Sequence, residues 1–368
     1  MVVKECYPEW GLFTTFDWRE MDLPSATNDN SYLFPSSPRK TLKVLHITDV
    51  HIDIDYEQGT NAVCNQPLCC RQASNGVHDS PKSYYWGTRY SCDIPFRTFE
   101  AALIAAKQVL PDPDFIFWTG DVPAHDIWDY SQQATRSLMT SVTDHFVKFF
   151  PGVKILPTLG NHEGVPINQY GTSENWLYDS IATEWRKFGL SPDSVETIKM
   201  HGYYTELLCP GHRIIAINSN FCMDMNYMIL LGTGDPGNQH QWLIDTLQSA
   251  EDNNEAVLLL GHIPPGEPDQ IDFCSIQFYK IVNRYQTTIR AQFYGHTHWD
   301  HLRLFYEDFD PLKKATNVAY VTPSVTTWVG MDPAFRVYEI DHWDNPSPTF
   351  TGLWYLHTVD GDDYFLPK

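Results

Sequence analysis

The chain has 368 residues, of which 42% are hydrophobic and 14% aromatic, so it carries enough apolar surface for one large domain or two. Its formal charge of −21 argues against a nucleic-acid-binding protein, because a polyanion would be repelled. No run of about 18 uninterrupted apolar residues occurs, so the sequence predicts no transmembrane segment.

The first part of the chain contains several prolines. Residues 1–40 contain Pro8, Pro24, Pro35 and Pro38 among polar residues, which predicts a proline-containing linker. The folded core is expected over 41–342, with 343–368 as its C-terminal extension. Short apolar runs rich in β-branched and aromatic residues predict buried strands within it. These runs are 42–48, 115–119, 153–159, 213–218, 256–260, 291–294, 318–322 and 335–340.

Amphipathic stretches with helical spacing lie between several of the predicted strands. They are 95–110, 131–149, 174–188, 239–252 and 275–289. Alternating strands and helices predict an α/β layered fold. The segment 264–270 is interpreted as a loop.

Polar side chains of the kind that bind metals follow five of the predicted strands. The five motifs are Asp49-Val50-His51, Gly120-Asp121, Gly160-Asn161-His162, Gly261-His262 and Gly295-His296-Thr297-His298. In α/β sheets, ligands gather at strand ends and in the loops that follow them. One such motif by itself is weak, since these residues more often cap turns, but five in this order predict a metal site.

The order of the motifs resembles the calcineurin-like metallophosphoesterase superfamily over about residues 41–340, by the pattern D-x-H, G-D, G-N-H-[DE], G-H and G-H-x-H. The resemblance implies an α/β fold of two mixed β-sheets sandwiched between helices, with the catalytic domain over 41–342. It also implies two ions that share one carboxylate. The first would be held by Asp49, His51, Asp121 and His298, and the second by Asp121, Asn161, His262 and His296. Such ligands suit Zn, Mn or Fe, so ligand chemistry leaves the metal open.

A pair of metal ions indicates hydrolysis of a phosphate ester. Two cations can polarise a phosphoryl oxygen and bind a bridging water whose pKa falls to roughly 7. Expulsion of an alkoxide then needs a proton, which a histidine that is cationic at mildly acid pH can donate. The candidates are His162, beside Asn161, and His125, four residues beyond Asp121. The alternative for His125 is a loop histidine that is bonded to solvent.

Further stretches narrow the resemblance to the acid sphingomyelinases. They are 67–71, 85–87, 92–93, 118–121, 123–126, 160–163, 261–266 and 291–293. This resemblance implies hydrolysis of sphingomyelin to ceramide and phosphocholine at acidic pH. It implies two Zn²⁺ ions and assigns proton handling to His125 and His162.

Eight cysteines without paired CxxC spacing favour disulfides in an oxidising compartment over a structural zinc site. The resemblance implies the pairs Cys64–Cys69, Cys70–Cys92 and Cys222–Cys274. Cys6 and Cys209 are left over, and a bond between them stays open. We expect a lysosomal or secreted protein whose signal segment is absent from this chain, since residues 1–8 hold no apolar region. Protonation of its 15 His would offset much of the charge of −21 in an acidic compartment.

The two ends of the chain differ from the pattern of full-length acid sphingomyelinases. Residues 6–10 and 23–24 resemble the end of a saposin-like domain and its linker, and the helical C-terminal region is not represented. The expected partners are sphingomyelin and, transiently, a lipid membrane surface. Aromatic residues near the motifs are candidates for the choline group, because quaternary ammonium favours aromatic faces. They are Tyr84, Tyr85, Trp86 and Trp128.

Two alternative functions remain. One is a phosphodiesterase acting on nucleotides or other soluble phosphate esters, although relatives of that kind tend to carry Asp where this chain has Glu163. The other is a catalytically silent lipid-binding module, for which a broken ligand set would be expected. All seven ligand positions are present, so this alternative ranks last.

Overall fold

Two six-stranded mixed sheets form the centre of the fold. The computed structural model describes residues 21–25, 41–172, 176–231, 234–341, 348–356 and 365–367. The strands in these residues are β1 Thr41–Ile47, β2 Phe115–Trp118, β3 Lys154–Pro157, β4 Tyr204–Cys209, β5 His212–Ala216, β6 Ala256–Leu260, β7 Ile289–Tyr294, β8 His301–Tyr306, β9 Ala315–Val321, β10 Ala334–Asp341, β11 Pro348–Leu356 and β12 Phe365–Pro367.

The first sheet has the order β12-β11-β10-β1-β2-β3, and the second has the order β4-β5-β6-β7-β9-β8. Strands β1, β2 and β3 are parallel, as are β5, β6, β7 and β9, whereas the flanking strands of each sheet pair antiparallel. The carboxyl ends of the parallel strands within a sheet therefore lie at one edge, which is where ligands bind in α/β folds.

The helices of eight or more residues in the described chain are α1 Phe96–Val109, α2 Gln132–Phe149, α3 Trp176–Trp185, α4 Pro192–His201, α5 Gln239–Asp252 and α6 Asp272–Arg284. Their ends follow local chemistry. The Ser131 hydroxyl accepts a hydrogen bond from the Ala134 N–H at the start of α2. Ser191 and Pro192 begin α4, and Gly202, with φ of 76°, ends it in the left-handed conformation.

Two hydrophobic clusters position the sheets. Along β6, Leu258 and Leu260 join the cluster between the sheets, whereas Val257 and Leu259 join the cluster against α5 and α6, as the twofold alternation of a strand requires. Phe117 of β2 lies 4.9 Å from Phe293 of β7, centroid to centroid, so the two sheets are in direct contact. Helices α1 to α4 cover the first cluster, and both sheets are thus flanked by helices, as the resemblance implied.

Most predicted elements occur within a few residues of their predicted bounds. The predicted helix 275–289 was wrong at both ends, because α6 spans Asp272–Arg284 and Ile289 already pairs with Val257 in the sheet. Sequence analysis missed α4, β4, β8, β11 and β12. The strand β8 lies at a sheet edge with Leu302 and Leu304 exposed and only Phe305 buried, so it lacks the continuous buried apolar run of a central strand. Of the predicted linker, residues 1–40, the structure describes only 21–25. There Met21 and Leu23 pack on the second hydrophobic cluster.

Candidate metal centre

The five motifs lie at the carboxyl ends of β1, β2, β3, β6 and β7. Backbone hydrogen bonds join the loops of the first sheet: the Asp49 N–H donates to Gly120 O over 3.0 Å, and the His51 N–H to Asp121 O over 3.2 Å. The His296 N–H, from the second sheet, donates to Asp49 Oδ2 over 2.9 Å. The strand ends of both sheets therefore meet at one place.

Glycine is required where these loops approach each other. A Cβ atom at Gly160 would overlap the Asp121 carboxylate, and one at Gly295 would overlap Thr48 and the Asp49 carboxylate. Gly160 and Gly295 therefore allow the carboxylates of Asp121 and Asp49 to pack directly on neighbouring backbone. In these two motifs, the lack of space for a Cβ atom explains why a glycine precedes the polar residue.

We expect Gly295→Ala to lower the free energy of unfolding by about 1–3 kcal/mol and to reduce the metal content, because the added methyl group displaces Asp49. Gly152→Ala is the comparison, since Gly152 has φ of 77° but open space around its Cβ position. That variant suffers backbone strain only. Urea unfolding and metal analysis of both variants test the prediction, and a Gly295→Ala protein with normal metal content contradicts it.

The first group of ligand atoms comes from Asp49, His51 and His298, all buried, and these atoms lie within 4.8 Å of one another. His298 Nε2 lies 3.2 Å from His51 Nε2 and 3.5 Å from Asp49 Oδ1. Each ring is fixed through its other nitrogen, since Nδ1 of His51 contacts Pro123 O at 2.8 Å and Nδ1 of His298 contacts Trp328 O at 2.7 Å. Donation to these carbonyls leaves the Nε2 lone pairs directed into the group.

The second group comes from Asp121, His262 and His296, whose ligand atoms also lie within 4.8 Å of one another. Asn161 completes it, because its Oδ1 lies 3.1 Å from His262 Nε2 and 3.0 Å from His296 Nδ1. Asp121 Oδ2 lies 3.1 Å from His262 Nε2 and 3.4 Å from His51 Nε2. One carboxylate therefore faces both groups.

The electrostatics of this centre favour cations. Burial disfavours a charged ring at His51, but the hydrogen bond that the ring donates to the Asp49 carboxylate and the charges of Asp121 and Asp93 raise its pKa to about 9. Burial likewise opposes protonation of His262, and Asp121 raises its pKa to about 10. The carboxylates thus require compensating positive charge, which divalent ions bound by imidazole and oxygen ligands would supply. The residues fit a centre for two metal ions.

His125 and His162 lie beside the first group. The ring centroid of His125 is 4.1 Å from that of His51, and the centroid of His162 is 4.5 Å from it. Asp93 Oδ1 contacts His125 Nδ1 at 2.9 Å, and the indole of Trp328 stacks on the His125 ring at 3.8 Å. His125 is therefore an ordered residue of the centre and not a loop histidine bonded only to solvent.

The pKa values of these two histidines are governed by burial. Burial lowers the pKa of His125 to about 4, although the Asp93 carboxylate opposes the effect. Burial also lowers the pKa of His162 well below its ordinary value, with Asp121 opposing. An anionic phosphodiester placed against these rings would stabilise their protonated forms.

Sequence analysis assigned no role to Asp93, Glu163 or Trp328. Asp93 also accepts from the Thr326 hydroxyl at 2.8 Å, and Glu163 accepts from the N–H groups of Val122 and Gly160, each at 2.7 Å. Asp93 and Glu163 lie in the stretches 92–93 and 160–163 that resemble the acid sphingomyelinases, so the sequence did mark both as candidates for a role in the site. Trp328 follows no glycine and contains no metal-binding group, so no feature of the sequence indicated that it belongs to the site.

Among the described residues, none of the four aromatic side chains considered for choline makes a ring contact with His125 or His162. Tyr84, Tyr85 and Trp128 are about half exposed. Tyr85 contacts Trp86 at 4.9 Å between ring centroids and lies 4.3 Å from the Arg97 guanidinium. Their role in binding choline stays a prediction.

Three disulfides have the pairing that the resemblance implied: Cys64–Cys69, Cys70–Cys92 and Cys222–Cys274. The bond between Cys70 and Cys92 joins two segments that reach the centre. Arg71, next to Cys70, contacts Asp126 Oδ2 at 2.9 Å, and Asp93, next to Cys92, contacts His125. The disulfide therefore links the two segments whose side chains contact the adjacent residues His125 and Asp126. The proposed partner of Cys209, Cys6, lies outside the described residues.

The sequence pattern of the calcineurin-like phosphoesterases matches residues 42–300. The chain therefore belongs to the calcineurin-like phosphoesterase family. A dimetal phosphatase from Danio rerio shares the fold, with a TM-score of 0.53 and 14% identity over 89% of this chain and 98% of that one.

Several relatives within the family carry the name sphingomyelin phosphodiesterase. The Bos taurus protein of that name is 40% identical over 81% of this chain and 48% of its own length. Sphingomyelin phosphodiesterase B of Dictyostelium discoideum is 41% identical over 83% of this chain and 49% of its own length. The acid sphingomyelinase-like phosphodiesterase 3b of Mus musculus is 32% identical over 80% of this chain and 67% of its own length. The chain thus spans about half the length of the first two. No helix in the described residues combines the length and apolarity needed to cross a membrane.

Proposed function

We propose that the chain hydrolyses the phosphodiester of sphingomyelin to ceramide and phosphocholine at acidic pH. The observation that carries the proposal is the convergence of seven ligand-type side chains in two groups that share Asp121, with His125 and His162 beside the first. The choice of sphingomyelin rests on the relatives that are 40% and 41% identical. The catalytic domain would extend over 41–342, with 1–40 as a linker and 343–368 as an extension.

The proposed cofactors are two Zn²⁺ ions. The first would be held by Asp49, His51, Asp121 and His298, and the second by Asp121, Asn161, His262 and His296. When bound, the ions would polarise a phosphoryl oxygen and supply an activated water as the nucleophile. The chain's own contribution is to hold these ligands with their lone pairs directed inward, through carbonyl and carboxylate partners on the other ring nitrogens.

A histidine would supply the proton that the leaving group needs. As the oxygen of water bonds to phosphorus, the bond from phosphorus to the ceramide oxygen breaks, and that oxygen takes a proton from an imidazolium. His125 suits this role because Asp93 holds its Nδ1, which leaves Nε2 for the substrate. His162 has Nδ1 at 3.0 Å from the Tyr130 hydroxyl, which likewise leaves Nε2 for a phosphoryl oxygen.

The expected partners follow from the substrate. Sphingomyelin lies in membranes, so the protein would contact a lipid surface transiently, with Tyr84, Tyr85, Trp86 and Trp128 as candidates for binding the choline group. A lysosomal or secreted location is consistent with three disulfides and with activity at acidic pH.

Incubation with sphingomyelin at about pH 5, with and without a chelator, tests the proposal. We expect ceramide and phosphocholine as products, loss of turnover with the chelator, and recovery when zinc is added back. Choline in place of phosphocholine would mean that the other phosphoester bond breaks. Turnover that is insensitive to the chelator would contradict the role of the metals.

A phosphodiesterase of nucleotides or other soluble esters is the second candidate. This candidate is kept because the mouse relative, covered over 67% of its length, is named a sphingomyelinase-like phosphodiesterase, a name that does not specify sphingomyelin as the substrate. Comparing kcat/KM for sphingomyelin and for a nucleoside triphosphate at the same pH separates the two. A silent lipid-binding module ranks last, and it would bind vesicles without releasing either product.

A further inference from the structure

A carboxylate from outside the five motifs reaches the second group of ligands. Asp269 lies in the loop between Gly261-His262 and α6, and its Oδ2 is 2.7 Å from Nε2 of His296. The other ring nitrogen of His296, Nδ1, faces Asn161 Oδ1 at 3.0 Å. His296 therefore connects Asp269 to the proposed position of the second ion.

This contact differs in kind from those of the other three histidine ligands. The nitrogens of His51, His262 and His298 that point away from the centre contact the backbone carbonyl oxygens of Pro123, Thr119 and Trp328. His296 uses a carboxylate instead. A hydrogen bond to an ionised acceptor is roughly twice as strong as one between neutral groups, and it makes the opposite ring nitrogen a better metal ligand.

The loop that carries Asp269 is held independently of His296. The Asp269 carbonyl accepts from the Asp224 N–H over 2.9 Å, and the Ile271 N–H donates to Cys222 O over 2.8 Å. The Cys222–Cys274 disulfide links the two segments, and an ion pair between Glu267 and Arg303 holds the loop on its other side. The carboxylate is thus placed in advance by covalent and backbone contacts, so its bond to His296 needs little further ordering.

We propose that Asp269 is a positioning residue for the second metal ion. It holds the proton on Nε2 of His296, orients the ring, and directs the Nδ1 lone pair toward Asn161, which raises the affinity of this group for a divalent cation. The proposal rests on the two-metal centre of the proposed function. Asp269 itself binds neither substrate nor metal in this scheme.

Zinc titration of the chelator-stripped protein, in competition with a metal-sensitive dye, tests the proposal without reference to turnover. Two binding constants are expected for the unaltered chain. Asp269→Ala should weaken one of them by about 10–100-fold and leave the other unchanged, whereas Asp269→Asn, which keeps an oxygen acceptor, should weaken it less. Asp272→Asn is the charge-matched control, because Asp272 is exposed three residues away, and it should bind both ions normally.

A double-mutant cycle shows whether Asp269 acts through His296. In a His296→Ala background, Asp269→Ala should cause no further loss of zinc affinity. A full additional loss there, or equal weakening of both constants, would overturn the positioning role, as would wild-type affinity in Asp269→Ala. Failure of the unaltered chain to bind two ions would instead contradict the proposed function, so the two failures are distinct.

Discussion

Asp121→Asn is expected to lower kcat/KM for sphingomyelin by at least ~10³-fold, because it removes several kcal/mol of stabilisation from the reacting centre. Asp121 Oδ2 is 3.1 Å from His262 Nε2 and 3.4 Å from His51 Nε2, so a single carboxylate faces both groups of ligands. An amide keeps the size of the side chain but removes its charge, and only one of its two polar atoms accepts a hydrogen bond. Both proposed ions should therefore bind more weakly.

The measurement combines metal analysis with kinetics. Asp112→Asn is a matched control, because Asp112 is exposed and lies on the same connection between α1 and β2 that leads to the motif. It should retain two ions and full turnover. An Asp121→Asn protein that keeps both activity and metal would contradict the proposed centre.

His125→Gln is expected to lower kcat for sphingomyelin by about 10²–10⁴-fold while the metal content stays the same. The glutamine amide can still contact Asp93, and Trp328 continues to cover the site, so the surrounding structure should persist. What disappears is the transferable proton. The ceramide alkoxide is a poor leaving group, and without an acid its departure becomes slow.

The choice of leaving group separates this role from a structural one. A p-nitrophenyl phosphodiester needs no proton on its leaving oxygen, so His125→Gln should lose much less activity on that substrate than on sphingomyelin. His78→Gln, at a fully exposed histidine, should leave both rates unchanged. Equal losses on both substrates, or loss of metal, would mean that His125 is not the proton donor. The same comparison for His162→Gln would then identify the donor.

The strands and the polar side chains that follow them could be predicted from the sequence, because both are marked by the residue types of short local segments. Strands β1, β2, β3 and β6 are short apolar runs buried against neighbours, and each is followed within a few residues by a side chain of the kind that binds metals. The glycines that precede Asn161 and His296 mark positions where no Cβ atom fits. Edge strands such as β8 have one exposed face, so their composition resembles that of loops.

The sequence by itself determined the order of the motifs, the identity of the ligand-type side chains and the family that this order indicates. Only the tertiary structure decided which backbone or side-chain partner orients each ring. Asp93, Asp269 and Trp328 contact His125, His296 and His298 across separations of 32, 27 and 30 residues, in loops whose local sequence obeys no periodic rule. Such contacts depend on how two sheets pack and where disulfides hold the loops, which are non-local properties of the folded chain.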